Sequence, residues 1–215
     1  MIDKFLEVFI PLFIIVNPSS TIALFSAITN NYTDVARKKL AKNAAMYSAI
    51  LLLIFAFAGS AILEYLGIEI YSLRIAGGIL LAIVGLDMTR RGQQFGETPP
   101  GREQKADYAI VPLAMPSLAG PGAITVTIVS MKNLTSPPSN ISWYVAILFA
   151  IAAIVLTMSI TYIIFLGSKY VIKVLGKKGM DAFTRVMGLL TVAIAIQFMF
   201  TAIQSWLETY GIIPI

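Results

Sequence analysis

Long apolar runs, separated by short clusters of charged residues, make up almost the whole of this sequence. Each run is about 20 residues long, the length an α-helix needs to cross a hydrocarbon core about 30 Å thick. A transmembrane β-strand needs only about 10 residues, so these runs favour helices over a barrel. Charged residues make up 13% of the chain and the mean hydropathy is +0.83, whereas soluble domains are about 25% charged. The sequence therefore predicts an all-α membrane protein.

Basic residues indicate how this chain is oriented in the membrane. Six transmembrane helices are predicted, at residues 5–29, 43–66, 71–90, 108–131, 142–167 and 184–207. The connections after the first, third and fifth spans hold all but three of the 16 Lys and Arg residues, and the exceptions are Lys4, Arg74 and Lys132. The positive-inside rule predicts that these three connections are cytoplasmic and that both termini lie outside.

The composition excludes several classes of function. The net charge of +5 does not indicate a nucleic-acid partner, because the basic residues flank apolar spans. The absence of cysteine and histidine excludes thiol chemistry, a serine hydrolase with a histidine base and a histidine-ligated zinc centre. No lysine lies within a predicted span, and no phosphate-binding loop typical of ATP-driven proteins is present. We therefore expect no enzyme activity, no metal and no cofactor.

Proline interrupts two of the apolar runs near their midpoints. The runs read Val16-Asn17-Pro18-Ser19-Ser20-Thr21 and Leu118-Ala119-Gly120-Pro121-Gly122-Ala123. Proline removes a backbone donor and clashes with the preceding turn, so helices 1 and 4 are predicted to be discontinuous. Asn17 and Gly120 are suited to cap the helices that restart at each proline. Simple kinks are the alternative, since proline is tolerated in many membrane helices.

Two such breaks predict a binding site near the middle of the membrane. A helix N-terminus presents unpaired N–H groups and about half a positive charge, which suits a carboxylate. The last carbonyl groups of the preceding half-helices suit an ammonium group or a coupling cation, so a small zwitterionic amino acid is the predicted partner. The predicted substrate-binding residues are Asn17, Pro18, Ser19, Ser20, Thr21, Leu118, Ala119, Gly120, Pro121, Gly122 and Ala123. Gly122 and Ala123 are expected to let the ligand approach the backbone closely.

The two halves of the sequence share a pattern. Arg74-Ile75-Ala76-Gly77 near the start of the third span matches Arg185-Val186-Met187-Gly188 near the start of the sixth, at an offset of 111 residues. Together with the proline breaks, this match predicts an inverted 3+3 repeat. Residues 1–90 form the first three-helix repeat, 91–107 a cytoplasmic linker and 108–215 the second repeat. Six unrelated helices are the alternative.

Polar residues inside the spans are the remaining candidates. Asp87 and Thr125 are the candidate coupling-ion residues, since an acid within a membrane span is a functional candidate by default. However, Asp87 lies three residues before Arg90, which favours an ion pair at the interface. Arg74 is expected to extend its side chain to the outer surface. Whether the coupling cation is a proton or sodium stays open, as does the oligomeric state.

The sequence resembles the MarC-type membrane proteins, a family that includes the SnatA small neutral amino acid transporters. The motifs that carry the resemblance are Asn17-Pro18, Arg74-Ile75-Ala76-Gly77-Gly78, Pro112-Leu113-Ala114-Met115-Pro116, Ala119-Gly120-Pro121-Gly122-Ala123 and Met187-Gly188-Leu189-Leu190. Two positions differ from the family pattern, with Ser20 in place of glycine and Ala23 in place of proline. The resemblance implies ion-driven transport of glycine, alanine or similar amino acids across the inner membrane of a prokaryotic cell. An exporter or permeability factor for another small solute is the alternative.

Overall fold

The computed structural model describes residues 2–29, 32–91, 109–137, 139 and 141–212. Within these ranges the regular structure is entirely helical, and no strand is present. The helices are α1 (Ile2–Val16), α2 (Pro18–Ile28), α3 (Asp34–Tyr65), α4 (Ile70–Arg91), a π-helix (Ala109–Leu118), α5 (Pro121–Thr135), α6 (Trp143–Leu166) and α7 (Ser168–Thr209). The predicted all-α class is confirmed.

Four of the described helices are long and apolar enough to cross a membrane. They are Asp34–Tyr65, Ile70–Arg90, Trp143–Leu166 and Lys178–Thr209, which correspond to the second, third, fifth and sixth predicted spans. No more than 39% of the most apolar stretch of each is buried inside the protein. Large apolar side chains such as Ile163 and Phe200 are therefore exposed. A surface of this kind fits hydrocarbon and not water.

The first predicted span consists of two helices that meet at Asn17. The Asn17 backbone has φ 43° and ψ 69°, which is a left-handed conformation. Its N–H still donates to the Phe13 carbonyl at 3.1 Å, so α1 closes its last turn on this residue. Pro18 then begins α2 at a position where its missing N–H has no intrahelical role. The helix ends at the predicted position.

The fourth predicted span is also divided, and its first part is a π-helix. The Ala119 N–H donates to the Ala114 carbonyl at 2.8 Å, which closes the last π turn. Gly120 is extended, with φ −76° and ψ 175°, and Pro121 begins α5. An ordinary α-helix was the expectation here. Pro112 and Pro116 each lack a backbone donor, and the wider π register replaces the α pattern around them.

α7 is longer than the predicted sixth span. It begins at Ser168 and includes part of the connection that the sequence assigned to a basic loop. The helix is kinked at Gly176, where φ 62° and ψ 178° are accessible because glycine has no Cβ atom. The predicted linker 91–107 lies outside the described residues, apart from Arg91, which ends α4.

α4 and α7 pack against each other at very short range. A Cβ atom on Gly85 would lie 2.8 Å from the Gly188 carbonyl oxygen, and one on Gly188 would lie 2.7 Å from the Gly85 carbonyl oxygen. Nearer the start of α4, a Cβ atom on Gly78 would lie 3.0 Å from the Ala195 carbonyl oxygen. The two helices therefore run antiparallel, and their glycines allow the backbones to touch.

Two arginines are buried near opposite ends of the bundle. Arg74 is only 7% exposed and donates to Asn133 Oδ1 and to Ser205 Oγ, so it joins α4 to α5 and α7. The expectation that Arg74 extends to the surface is therefore wrong, because two neighbouring helices supply its acceptors. Arg37 is 6% exposed and donates to Ser168 Oγ, and its guanidinium lies 5.5 Å from the Phe25 ring centroid.

Candidate functional site

The two helix breaks line a single cavity of about 320 Å³, the central cavity. The first break contributes Ile15, Val16, Asn17 and Thr21. The second break contributes Ser117, Leu118, Gly120, Pro121, Gly122 and Ala123. The remaining wall comes from Leu24 and from α4, with Leu80, Leu81, Val84 and Met88. Residues 100 positions apart in the sequence thus surround one space.

Most of the predicted substrate-binding residues border this space. Seven of them line the central cavity, namely Asn17, Thr21, Leu118, Gly120, Pro121, Gly122 and Ala123. Pro18 and Ser19, together with Asn17, line a smaller second cavity of about 150 Å³. Ala119 is fully buried in the core beside the second break. Ser20 lies in α2, and its side chain is outside the described part of the structure.

The Asn17 side chain does not have the capping role that the sequence suggested. An N-cap residue is usually extended, so that its side chain can accept from the first amides of the helix. Asn17 is instead left-handed, a conformation that asparagine tolerates better than most residues, and it makes no capping hydrogen bond. Its carboxamide Oδ1 accepts from the Ser19 hydroxyl at 2.5 Å, and its Nδ2 donates to Met88 Sδ at 3.7 Å.

At the second break, the backbone has the predicted cap geometry. Gly120 occupies the N-cap position of α5, and the Ile124 N–H donates to its carbonyl at 3.0 Å. The amides of Gly122 and Ala123 belong to the first turn and have no partner within the helix. Since Pro121 has no N–H and Gly120 has no side chain, a ligand in the central cavity has only backbone donors to meet at this end of α5.

Gly122 has a packing role that the sequence did not show. A Cβ atom at this position would lie 2.5 Å from Leu81 Cδ2 and 3.5 Å from Ile15 Cγ2. The glycine therefore lets Leu81 of α4 pack against the first turn of α5 at the edge of the central cavity. The sequence predicted that a ligand would approach the backbone at Gly122. On the side where a Cβ atom would point, Leu81 occupies that space instead.

Peptide groups dominate the electrostatics of the central cavity. Its described lining residues carry no charge, and Asn17, Thr21 and Ser117 are the polar side chains among them. The first turns of α2 and α5 border the cavity, and each helix N-terminus carries about half a positive charge. Val16 and Leu118 end α1 and the π-helix at the same cavity, where C-terminal carbonyls carry the opposite partial charge. Such a cavity can hold both ends of a zwitterion.

The candidate coupling-ion residues lie outside the central cavity. Thr125 is buried on α5 and packs against Gly77 of α4, where an added Cβ atom would overlap the threonine side chain. Asp87 is half-buried on α4, next to Met88 in sequence. Neither residue is among the described residues that line the central cavity. Among the residues that the structure describes, no group of three or more acidic side chains could hold a metal ion.

Sequence reasoning missed the wall that α4 contributes. Leu81, Val84 and Met88 recur at spacings of three and four residues, so they share one face of the helix. That spacing identifies a face, but every residue of α4 from 75 to 86 is apolar. No polar residue within that stretch distinguishes the face that meets the cavity from the opposite face.

This fold and cavity define a class: a helical integral membrane protein in which two broken helices meet at an internal cavity. The comparison of sequences identifies the family within that class. The chain belongs to the MarC family of integral membrane proteins, which matches residues 2–207. The match includes both breaks and every described residue that lines the central cavity.

Relatives are similar to this chain over nearly their whole length. A UPF0056 membrane protein of Methanocaldococcus jannaschii is 36% identical over 209 residues, covering 95% of this chain and 98% of the relative. The UPF0056 membrane protein YhcE of Escherichia coli K12 is 36% identical over 208 residues, covering 94% and 92%. The UPF0056 inner membrane protein MarC of Escherichia coli O1:K1 is 30% identical over 225 residues, covering 98% and 100%. No solved structure matches this chain significantly.

Proposed function

We propose that this protein is a secondary transporter of small neutral amino acids, such as glycine and alanine, and that the central cavity is its substrate site. The observation that carries this proposal is the meeting of the two helix breaks at one internal cavity. Interrupted segments in corresponding positions of two halves are the feature by which transporter sites are recognised. The inner membrane is the proposed location, since the Escherichia coli relative MarC is described as an inner membrane protein.

The chemistry of the central cavity supports a small zwitterion as substrate. A free carboxylate would meet the first turns of α2 and α5, and an ammonium group would meet the carbonyl ends of α1 and the π-helix. A net charge on the solute would find no charged side chain to balance it among the described lining residues. The volume of about 320 Å³ lies at the lower end of the range of about 300–1,000 Å³ for small-molecule sites. A solute with a large side chain is therefore disfavoured.

The proposed architecture is six spans in an inverted 3+3 repeat, with α1–α2 and the π-helix–α5 as the two discontinuous spans. The antiparallel contact of α4 with α7 supports this arrangement, because these helices would be the third spans of the two repeats. Gly85 and Gly188 approach each other's carbonyl oxygens almost equally, at 2.8 and 2.7 Å for added Cβ atoms. Transport would follow from rocking of residues 1–90 against residues 108–215 about the central cavity.

An exporter or permeability factor for another small solute is the second candidate. The observation in its favour is the α4 wall, where Leu80, Leu81, Val84 and Met88 present apolar side chains to the cavity. A solute less polar than glycine would lose less hydration free energy on contact with that wall. The two candidates differ in whether both charged groups of the solute are required.

Uptake into liposomes containing the purified protein tests the proposal. We expect labelled glycine and alanine to accumulate when a proton gradient or a sodium gradient is imposed, and the effective gradient identifies the coupling cation. Unlabelled alanine should compete, whereas glycine amide and acetate, which each lack one charged group, should not. A folded protein that accumulates neither amino acid under any gradient contradicts the proposal. Competition by acetate or glycine amide as strong as that by alanine would favour the second candidate.

A further inference from the structure

Asn17 lies in the wall between two cavities. It lines the central cavity and also the second cavity, which is otherwise surrounded mainly by apolar side chains of α1, α2, α6 and α7. The residue is only 4% exposed. Its carboxamide contacts Ser19, which lines the second cavity, and Met88, which lines the central cavity.

The Ser19 hydroxyl determines which end of the carboxamide faces the central cavity. Ser19 Oγ donates to Asn17 Oδ1 at 2.5 Å, so the oxygen end is directed to the side of the second cavity. The Nδ2 donor is then directed to Met88 Sδ, at 3.7 Å, in the wall of the central cavity. A donor is thus held in a buried site by an acceptor that is among the weakest in proteins, a thioether sulfur.

The geometry points to Asn17 as the side-chain donor that recognises the substrate carboxylate, with Ser19 as its positioning residue and Met88 as the acceptor that the carboxylate replaces. A carboxylate is a far stronger acceptor than a thioether, so a carboxylate that enters the central cavity displaces Met88 from Nδ2. The inference rests on the proposed function, since it requires a carboxylate-bearing solute in the central cavity. It adds a side-chain determinant to a site otherwise described by backbone dipoles.

Met88 then acts as a competitor of the substrate. The Nδ2–Sδ contact must be given up before the carboxylate is bound, so it lowers the apparent affinity. Met88→Leu keeps the volume of the side chain and removes the acceptor. We expect this variant to bind glycine about fivefold more tightly than the wild type, the effect of one weak hydrogen bond. Unchanged or weaker binding of glycine by a folded Met88→Leu variant would overturn the inference.

Met131→Leu is the matched control for this substitution. Met131 is 4% exposed on α5, close to the 2% of Met88, and is not among the described residues that line the central cavity. Its replacement should leave the dissociation constant for glycine unchanged. If both variants bound glycine more tightly to the same extent, the change in affinity would reflect a general change in core packing, and the inference would fail.

Ser19 provides an independent test through its link to Asn17. Ser19→Ala should raise the KM for glycine about tenfold, the effect of losing one hydrogen bond that orients a donor to a charged group, with little change in kcat. Ser19→Thr should restore the KM, since it keeps the hydroxyl and the second cavity has room for a methyl group. In an Asn17→Ala background, Ser19→Ala should have no further effect. Additive effects of the two substitutions would show that Ser19 does not act through Asn17.

The outcomes separate the two proposals. If the wild type transports glycine and these variants leave its affinity and KM unchanged, the inference fails and the proposed function stands. If the folded wild type binds neither glycine nor any other carboxylate-bearing solute, both are overturned.

Discussion

At the scale of single residues, Gly122 and Leu81 control how much space the central cavity offers. An added Cβ atom on Gly122 would lie 2.5 Å from Leu81 Cδ2, and Leu81 itself lines the cavity. The end of a leucine side chain can rotate away from such an overlap. The directions open to it include the cavity, because Leu81 itself lines that space.

We therefore predict that Gly122→Ala moves Leu81 into the cavity and lowers the rate of glycine uptake at least tenfold. The accompanying loss of stability should be about 1–3 kcal/mol, the usual effect of overpacking. Combining Gly122→Ala with Leu81→Ala should restore much of the uptake by removing the displaced side chain. Uptake assays in liposomes, with unfolding measured in parallel in detergent, check both expectations.

Gly59→Ala is the control for this pair. An added Cβ atom on Gly59 would lie 2.5 Å from Ile128 Cγ1, the same overlap with an apolar side chain, but neither residue lines the central cavity. Its stability loss should be comparable and its uptake rate close to that of the wild type. An equal loss of uptake in Gly59→Ala would mean that transport is sensitive to packing in general and not to the space beside Gly122.

Part of the site at the residue scale could be predicted from the sequence. Proline chemistry alone located both breaks, and Gly120 has the extended backbone expected before a first-turn proline. The left-handed conformation of Asn17 and its contact with Met88 could not be foreseen. Residues 17 and 88 meet only through tertiary packing, and a thioether gives no signal in a sequence pattern.

At the scale of whole elements, α4 and α7 are in direct backbone contact: among the described glycines, Gly85 and Gly188 are those whose added Cβ atom would lie less than 3.0 Å from a backbone atom. The atoms that a Cβ on Gly85 would meet include the Gly188 carbonyl oxygen at 2.8 Å and the Val192 amide nitrogen at 2.9 Å. A backbone cannot rotate away as a side chain can. The two helices can accept a methyl group here only by moving apart.

Gly85→Ala should consequently lower the free energy of unfolding by about 3 kcal/mol, at the upper end of the range for overpacking. Gly167→Ala serves as its control, because that glycine has φ −81° and its nearest neighbour for an added Cβ atom is the Ile163 carbonyl oxygen at 3.4 Å. The control should change stability by no more than about 0.5 kcal/mol. Thermal unfolding in detergent measures both, and equal stability of the two variants would contradict the close packing.

The elements themselves differ in how well the sequence predicted them. The second, third and fifth spans were located to within about ten residues, since long apolar runs leave little choice. The π-helix and the kink of α7 at Gly176 were not predicted. Both depend on backbone geometry that several local sequences can adopt. Residues Ser168–Leu175 belong to the connection predicted between the fifth and sixth spans but form a helix.

At the scale of the whole molecule, the absence of cysteine offers a direct test of orientation. Single cysteine variants can be made without removing any native thiol, since the chain contains none. Lys39, Glu69, Lys132 and Lys173 are exposed in the structure, so a thiol at each would be accessible. Lys39 and Lys173 belong to the predicted cytoplasmic side, and Glu69 and Lys132 to the outer side.

A membrane-impermeant maleimide applied to intact cells should label Glu69→Cys and Lys132→Cys. Lys39→Cys and Lys173→Cys should be labelled only after the membrane is permeabilised. The expected contrast follows from the strong bias of Lys and Arg to one side of the predicted spans. The reverse pattern would place both termini in the cytoplasm, and labelling of all four in intact cells would rule out the proposed set of spans.

At this scale, the sequence predicted the class of fold but not how its helices pack against one another. Apolar runs and basic clusters are enough to predict a helical membrane protein, and the MarC family match agrees with that class. The offset between Gly77 and Gly188 suggested a repeat, yet apolar helices resemble one another by composition alone. The central cavity is formed by helix faces from distant segments of the chain. The packing that brings those faces together cannot be read from a single sequence.

The π-helix that precedes the second break holds one extra residue in each hydrogen-bonded ring, compared with an α-helix. A hydrogen bond of the kind seen from Ala119 to Ala114 closes a ring that is one residue larger than an α-helical ring. Rewinding Ala109–Leu118 into α register would release that residue to the junction ahead of Gly120 and rotate the carbonyls at its end. A change of register in the π-helix would therefore alter the second break without bending α5. The first break has no equivalent, because α1 is an α-helix up to Val16.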